Sequence, residues 1–541
     1  MAETSNHLKR NIDERRLGTV FYVSVGLSAL FVLWGVFFSK NLATVATATL
    51  DYVTATFGWV YIIASFCFLA FVLYLACSRY GKTRLGQDTD RPEFSTASWL
   101  AMMFSAGMGI GLIFFGVFEP LSHFSNPPFD LARPNTAPAA VLAIQYSYFH
   151  WGLHAWGIFA VVGLGLAYSV FRKGRSGLIS PIFYPLLGER VEGPIGKAID
   201  ILAILATLFG SATSLGLGAL QMGGGLKAVF GLPNVIAVQL SIIAAMTVLF
   251  TVSAVSGVKR GIQWLSNINM ILAAGLLLFL LACGPTIFLL NFFTDSVGNY
   301  IGNFFQMSFR SAVFGNATWM QDWTIFYWAW WISWAPFVGT FIARISRGRT
   351  IREFVLGVLF VPSLVSFIWF AVFGGAAINL ALAGNANISV AVSQAAVLFD
   401  TLNAFPWGMI TSLLAVVLIA LFFISGADAA SVVLGMLSSG GTLEPRKTVI
   451  ILWGSLTGLC AAVLLLSGGL NALQQAAILA AVPFALVMIA LCYALITDLR
   501  GERRSIRTQP NAIAEGAFAS IDSRATESQS RSLSNIGTRK R

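Results

Sequence analysis

The chain contains 541 residues, of which 57% are hydrophobic and 11% are charged. This composition excludes a water-soluble globular protein, in which about a quarter of the residues are charged. The formal net charge is +11, but most basic residues fall in alternate loops between apolar runs, the pattern that sets membrane topology. We therefore expect no nucleic-acid partner.

Apolar runs of about 20 residues recur along the chain, and each is long enough to cross a bilayer as a helix. They predict an all-α membrane protein with twelve transmembrane helices. Basic residues follow the even-numbered helices, for example Arg79, Lys82 and Arg84 after the second and Lys259 and Arg260 after the sixth. By the positive-inside rule, both termini lie in the cytoplasm. The predicted spans are roughly residues 18–39, 56–77, 97–118, 140–171, 198–226, 235–256, 267–293, 320–345, 352–383, 405–437, 447–468 and 471–496.

The segments outside these spans differ in composition. We expect a cytoplasmic tail at residues 1–17, a transmembrane domain at 18–496 and a basic cytoplasmic tail, disordered or loosely helical, at 497–541. Residues 294–318 are too polar to cross the bilayer and predict a helix in the outer interface. From residue 499 onward, nine Lys and Arg stand against four Asp and Glu, an excess that attracts anionic lipid. A plain positive-inside anchor explains the same charges equally well.

Five tryptophans and a tyrosine lie within residues 322–337, in the eighth predicted helix. The face of an indole ring attracts cations, and a desolvated contact is worth about 2 kcal/mol. Quaternary ammonium groups offer no hydrogen-bond donor, so stacked aromatic rings suit them. An aromatic belt at the membrane interface is the alternative. Because Pro336 is expected to interrupt the helix beside the cluster, we favour a binding site.

The third predicted helix contains Gly107, Gly109 and Gly111 in mid-membrane. Three glycines so close together cost a helix about 2–3 kcal/mol relative to alanine. Such a break suits a cavity, where freed carbonyls bind a cation and a ligand approaches the backbone. Packing of small residues between helices is the alternative. The two candidate interruptions are five helices apart, which fits an inverted repeat of five plus five helices after two extra ones.

The fourth predicted helix carries Trp151, Trp156 and Phe159 within an arc of about 140°, so all three rings can face one cavity. His150 and His154 are four residues apart, which is also the spacing of metal ligands on a helix. Neutral histidines that hydrogen-bond inside the bundle are the commoner case.

Five further positions place polar groups within apolar runs. Glu119 and Asp428 are costly there, and we interpret them as partners of backbone freed by a break rather than as proton relays. Thr207 and Ser211 lie one turn apart, and Ser425 lies beside a glycine. Hydroxyl oxygens suit hard cations, although such residues commonly bond to their own helix.

Taken in order, these motifs resemble the betaine/choline/carnitine transporter family. The resemblance covers residues 18–496 and rests on residues 322–350, the glycine motif with Glu119-Pro120, residues 150–156 and residues 214–221. It implies a LeuT-like fold of two inverted five-helix repeats preceded by two helices. It also implies a homotrimer in the bacterial cytoplasmic membrane.

The resemblance further implies an aromatic substrate cage and two sodium sites. The cage would comprise Trp151, Trp156, Phe159 and Trp331, with Trp330 and Trp334 towards the cytoplasmic exit path and Gly107, Met108, Gly109 and Gly111 lining the same cavity. One sodium site would use Thr207, Ser211 and Phe337. The other would use the backbone at Ser105 and Met108 with Phe422, Ser425 and Gly426.

Three positions bear on the choice of substrate or on sodium binding. Choline-type members carry an aspartate in place of Gly111, which would repel the carboxylate of betaine, so Gly111 favours a zwitterion. Gly426 lacks a hydroxyl that is common in the second sodium site. Phe159 is often a tyrosine, and the loss of its polar group leaves related solutes such as ectoine or proline open.

We therefore expect a sodium-coupled symporter of glycine betaine or a related compatible solute, serving osmoprotection, with Na⁺ as coupling ion and no other cofactor. The first alternative is a sodium-independent exchanger of onium compounds, of the carnitine type, or a carrier of choline. The second is a membrane enzyme. Neither an HExxH motif nor a nucleophile–base pair is found in the spans, so an enzyme is disfavoured.

Overall fold

The computed structural model describes residues 17–536 except 108, 257–258, 386–387 and 389–393. Within these residues the regular secondary structure is helical. Arg84 and Thr350 form an isolated β-bridge. Eight of the described helices are long and apolar enough to cross a membrane, or nine if one sharply bent pair counts as a span. The predicted all-α membrane class is confirmed. The layout of twelve spans in two inverted repeats stays a prediction.

The described residues form fourteen longer helices. They are α1 (Thr19–Phe37), α2 (Ser39–Cys77), α3 (Thr96–Gly107), α4 (Ile110–Ser125), α5 (Ala137–Trp151), α6 (Leu153–Ala167), α7 (Pro194–Phe230), α8 (Ile236–Ser256), α9 (Lys259–Cys283), α10 (Thr286–Gly302), α11 (Phe326–Ile345), α12 (Ile351–Leu382), α13 (Gly408–Ser438) and α14 (Lys447–Ile536). Short α-helices lie at Tyr184–Leu187, Phe304–Ser308, Ala317–Met320 and Val397–Asn403. Two π-helical turns, Tyr168–Arg172 and Gln321–Ile325, continue α6 and precede α11.

The predicted break in the third span is confirmed. Helix α3 ends at Gly107 and α4 begins at Ile110, with Gly109 between them in an extended conformation (φ −149°, ψ −157°). The physical reason is local, since closely spaced glycines remove the side chains that favour a helix. Each half is short, which lowers the number of helices that qualify as full spans.

The prediction that Pro336 interrupts the eighth span is wrong. Helix α11 continues from Phe326 to Ile345 through this proline. A proline removes one backbone hydrogen bond, and in a membrane bundle the neighbouring groups can compensate. One turn further on, the Thr340 hydroxyl donates to the Pro336 carbonyl at 2.6 Å within the same helix. The irregularity lies instead at the π-helical turn Gln321–Ile325.

The predicted end of the seventh span, residue 293, is also wrong. Helix α9 ends at Cys283, and α10 departs at 111° after Gly284 and Pro285. Proline has no N–H to continue the helix and disfavours a helical conformation in the residue before it. The sharply turned helix therefore begins several residues before the predicted interfacial segment 294–318. Its location in the interface stays a prediction.

Helix α14 contains the eleventh and twelfth predicted spans, which are separated by a kink at Gly468 and Gly469. Gly469 has φ +62° and ψ −134°, a conformation that essentially only glycine adopts. The helix then runs past residue 496 to Ile536. Of the two alternatives for the start of the basic tail, the helical one is thus observed.

The centre of the bundle is formed by α4, α6 and α11. Every residue of α4 from Ile110 to Leu121 is buried, as are those of α11 from Phe326 to Ser333. Helices α6 and α11 approach closely at Gly163 and Gly339, where an added Cβ on Gly339 would lie 2.8 Å from a Val162 methyl. The break in α3–α4 and the tryptophan-rich start of α11 therefore meet in the interior.

Candidate substrate site

The tryptophans of α11 face the interior of the bundle. Trp330 and Trp331 stack with ring centroids 4.8 Å apart and an interplanar angle of 15°. Trp151, from the end of α5, meets Trp331 edge to face at 4.9 Å and 75°. All three side chains are buried. An aromatic belt would leave such rings at the lipid surface, so the belt interpretation is wrong for Trp330 and Trp331.

The structure brings the four predicted cage residues into one set of ring contacts. Phe159 lies edge to face against Trp331 at 5.8 Å, and Trp156 lies edge to face against Phe159 at 5.6 Å. The chain of contacts therefore runs from Trp156 through Phe159 and Trp331 to Trp151. Offset and edge-to-face aromatic pairs stabilise each other beyond their buried area, so these contacts stabilise the arrangement of the four rings.

Trp334 lies one turn beyond Trp330, at 6.0 Å between ring centroids, and is partly exposed. The indole nitrogens of both residues are buried, and among the described residues neither has a hydrogen-bond partner. Buried indole N–H groups usually find one. Two donors thus remain next to the cage, available to a bound solute or water.

The glycine motif fits directly against the tryptophans. A Cβ added at Gly111 would lie 2.7 Å from Cη2 of Trp330 and 3.0 Å from Cη2 of Trp151. A side chain at this position would push the indoles aside. Gly109 differs, since an added Cβ would meet no described atom within 4 Å. Gly107 ends α3, whereas the predicted site residue Met108 lies outside the described residues.

A buried carboxylate, Glu119 of α4, lies behind the cage. Its Oε2 accepts hydrogen bonds from Trp151 Nε1 at 2.8 Å and from the Tyr327 hydroxyl at 2.5 Å. Its Oε1 lies 2.7 Å from His150 Nδ1 and 3.2 Å from His123 Nε2. The prediction that Glu119 binds freed backbone is therefore wrong. Its partners are side chains, most of them from other segments, and sequence separation hides such pairings.

His150 and His154 point to different neighbours. His150 Nε2 lies 3.0 Å from the Thr324 hydroxyl, and the His150 carbonyl accepts from Trp331 Nε1 at 2.9 Å. His154 Nε2 lies 3.1 Å from the Ser308 hydroxyl. The two histidines therefore hydrogen-bond to different partners within the bundle, as the commoner case predicts.

The sequence interpretation missed His123. The ligand atoms of Glu119, His123 and His150 lie within 4.8 Å of one another, a spacing that could hold a metal ion. In the structure the imidazole nitrogens that face Glu119 are engaged with its Oε1. The signal available in the sequence was the i,i+4 spacing of Glu119 and His123 on one helix face.

The residues of the first predicted sodium site lie on α7 and α11, which pack together. A Cβ added at Gly210 of α7 would lie 2.6 Å from the Ser333 hydroxyl of α11. Thr207 donates to the Ala203 carbonyl at 2.8 Å. The Ser211 hydroxyl is buried and has no hydrogen-bond partner in the described part of the chain. Phe337 is also buried.

The second predicted sodium site is only partly described. The Ser425 hydroxyl donates to the Phe422 carbonyl at 3.3 Å and accepts from Asn269 Nδ2 at 3.2 Å. Gly426 is exposed. Ser105 lies in α3, and its side chain is outside the described part, as is Met108.

Asp428, one turn after Ser425 on α13, was expected to pair with freed backbone. Instead, its Oδ2 accepts from the Ser253 hydroxyl of α8 at 2.7 Å. That prediction is wrong for the same reason as for Glu119: the partner comes from a distant helix. A buried carboxylate takes whichever donor the packing of the bundle supplies.

The profile of the betaine/carnitine/choline family transporters matches residues 19–504. The chain belongs to this family. Its members are transporters, so the protein is a multi-pass membrane transporter and not an enzyme. The family assignment agrees with the aromatic site and the interrupted glycine helix.

Several family members resemble the chain over nearly its whole length. The glycine betaine transporter OpuD of Bacillus subtilis is 50% identical over 91% of this chain and 96% of its own. A probable glycine betaine transporter of Desulfitobacterium hafniense is 46% identical over 90% and 99%. The ectoine/hydroxyectoine transporter of Virgibacillus pantothenticus is 43% identical over 90% and 97%.

Proposed function

We propose that this family member is a sodium-coupled symporter of glycine betaine or a closely related zwitterionic solute, working by alternating access in the bacterial cytoplasmic membrane. The observation that carries this proposal is the buried cluster of Trp151, Trp330 and Trp331, in which Trp151 and Trp330 lie against Gly111 at the interrupted helix. The names of the similar transporters support the same substrate class.

The two ends of a betaine molecule would meet different parts of the site. Its trimethylammonium group would lie against the indole faces, which attract a cation without needing a hydrogen bond. Its carboxylate would meet the start of α4, where the first backbone N–H groups of a helix are unsatisfied and the helix dipole is positive. Gly109 precedes this helix without a side-chain cap, so nothing in its own side chain competes for those N–H groups.

Sodium would bind beside the same elements. Thr207 and the unpartnered hydroxyl of Ser211 supply oxygen atoms of the kind that hard cations prefer. They lie on α7, which packs against α11 near Ser333. An ion there would link α7 to the helix that carries the tryptophans, so sodium binding would favour a formed cage.

The direct test is uptake of radiolabelled solutes into proteoliposomes. We expect glycine betaine to accumulate only under an inward sodium gradient, and unlabelled choline, carnitine, proline and ectoine to compete less well. Accumulation that ignores the sodium gradient but requires an internal counter-substrate would instead identify an onium exchanger. Ectoine uptake that exceeds betaine uptake would shift the substrate within the zwitterion class, in line with the ectoine-transporting relative.

A further inference from the structure

One carboxylate connects the two indoles that form the core of the cage. Glu119 Oε2 accepts directly from the Trp151 indole N–H. Glu119 Oε1 is hydrogen-bonded to His150 Nδ1 at 2.7 Å, and the backbone carbonyl of His150 accepts from the Trp331 indole N–H. Trp151 and Trp331 are the pair whose rings meet at 4.9 Å and 75°. The orientation of both indoles therefore depends on groups bonded to Glu119.

The hydrogen-bond geometry fits a negatively charged Glu119. Trp151 N–H and the Tyr327 hydroxyl approach Oε2, and His150 and His123 approach Oε1. When His150 and His123 carry their protons on the nitrogens that face Oε1, all four groups donate to the carboxylate and neither oxygen carries a proton. His150 is then neutral if its other nitrogen accepts from the hydroxyl of Thr324.

This charge acts on the cage through the indole. Hydrogen bonds in a low-dielectric interior polarise one another. An indole whose N–H donates to a carboxylate therefore carries more electron density on its ring face, which is the face that attracts a cation. None of the described residues bonded to Glu119 is a lysine or arginine that would neutralise the charge locally.

We propose that Glu119 is a positioning residue that sets the Trp151–Trp331 angle and, through its charge, makes the cage select a positively charged onium group over a neutral group of the same shape. This inference rests on the proposed function, since it assumes that the cage binds an onium group. It adds a residue that does not itself touch the solute.

Glu119→Gln removes the charge while leaving the hydrogen bonds satisfiable. The amide oxygen can accept from Trp151 and Tyr327. The amide NH₂ can donate to His150 and His123 once each adopts its other neutral tautomer, with His150 then donating to Thr324. Glu119→Ala, in contrast, removes the charge and the hydrogen bonds together, and leaves buried donors unpaired.

The test measures selectivity rather than transport alone. Uptake of radiolabelled glycine betaine is inhibited with unlabelled glycine betaine or with 3,3-dimethylbutanoate, in which a carbon atom replaces the nitrogen. The inhibition constant of 3,3-dimethylbutanoate divided by that of glycine betaine reports recognition of the positive charge. We expect the Glu119→Gln protein to lower this ratio about tenfold, and Glu119→Ala to weaken inhibition by both compounds as well.

A matched control is Asp200→Asn. Asp200 is a buried carboxylate of α7 that accepts from the backbone and hydroxyl of Ser180. Its loss tests the general effect of removing a buried charge, and we expect an unchanged ratio. If Glu119→Gln protein does not reach the membrane, Trp151→Phe keeps a ring but removes the bonded N–H, and should also lower the ratio.

The outcomes separate the two proposals. If both compounds inhibit uptake by the wild-type protein equally well, the proposal of an onium cage itself would be overturned. A wild-type protein that prefers betaine, together with a Glu119→Gln protein that keeps the same ratio, would overturn only the role of Glu119. The same holds for Trp151→Phe where that variant replaces Glu119→Gln.

Discussion

Replacement of Gly111 by alanine should weaken betaine binding strongly. The added methyl group would lie 2.7 Å from Cη2 of Trp330 and 3.0 Å from Cη2 of Trp151, which is closer than side chains pack. Both indoles are buried in a stack of other rings and cannot swing away freely. Overpacking of a tight interior costs about 1–3 kcal/mol. If the strain falls on the bound state, the affinity falls about 5- to 150-fold.

The assay is the concentration dependence of glycine betaine uptake in proteoliposomes, with KM compared between variants of equal reconstitution. Gly275→Ala on α9 is the matched control, because an added Cβ there meets no described atom within 4 Å. Gly109→Ala meets none either and should raise KM less than Gly111→Ala does. A wild-type KM for Gly111→Ala would show that the solute does not depend on the Trp151–Trp330 spacing, and the site assignment would have to be abandoned.

Three further changes test other parts of the structure. Trp331→Ala should raise KM for betaine about 5- to 30-fold through loss of cation–π binding, and an unchanged KM would remove Trp331 from the cage. Ser211→Ala should raise the sodium concentration for half-maximal uptake about fivefold, whereas Ser241→Ala, at an exposed hydroxyl bonded within α8, should not. Arg172→Ala removes the hydrogen bond and ion pair to Glu502 and should lower the free energy of unfolding by about 1–3 kcal/mol. An unchanged thermal midpoint of the detergent-solubilised protein would contradict that role for Arg172.

The π-helical turn before α11 connects the start of the tryptophan-rich helix to its neighbours. The turn spans Gln321–Ile325, and π turns often occur at functional sites. It places the Thr324 hydroxyl 3.0 Å from His150 Nε2. At the other end of the turn, the Gln321 side chain accepts from Thr54 of α2 at 2.8 Å. The start of the tryptophan-rich helix is thereby connected to two different helices.

The sequence by itself determined the features that depend on neighbouring residues. Apolar runs of spanning length fixed the all-α membrane class, because a lipid interior requires backbone hydrogen bonds within each segment. Glycine spacing determined the break after Gly107, and tryptophan density predicts a binding site around Trp331. The motif order was sufficient for the family, which the profile match over residues 19–504 confirms.

Only the tertiary structure decided how distant groups pair. Pro336 remains within a helix and Pro285 marks a 111° turn, although each proline removes the same backbone N–H. Glu119 and Asp428 bond side chains of other helices, because a buried charge must take donors wherever the bundle supplies them. Such pairings join residues up to 208 positions apart, as for Glu119 and Tyr327, and no local pattern in the chain encodes them.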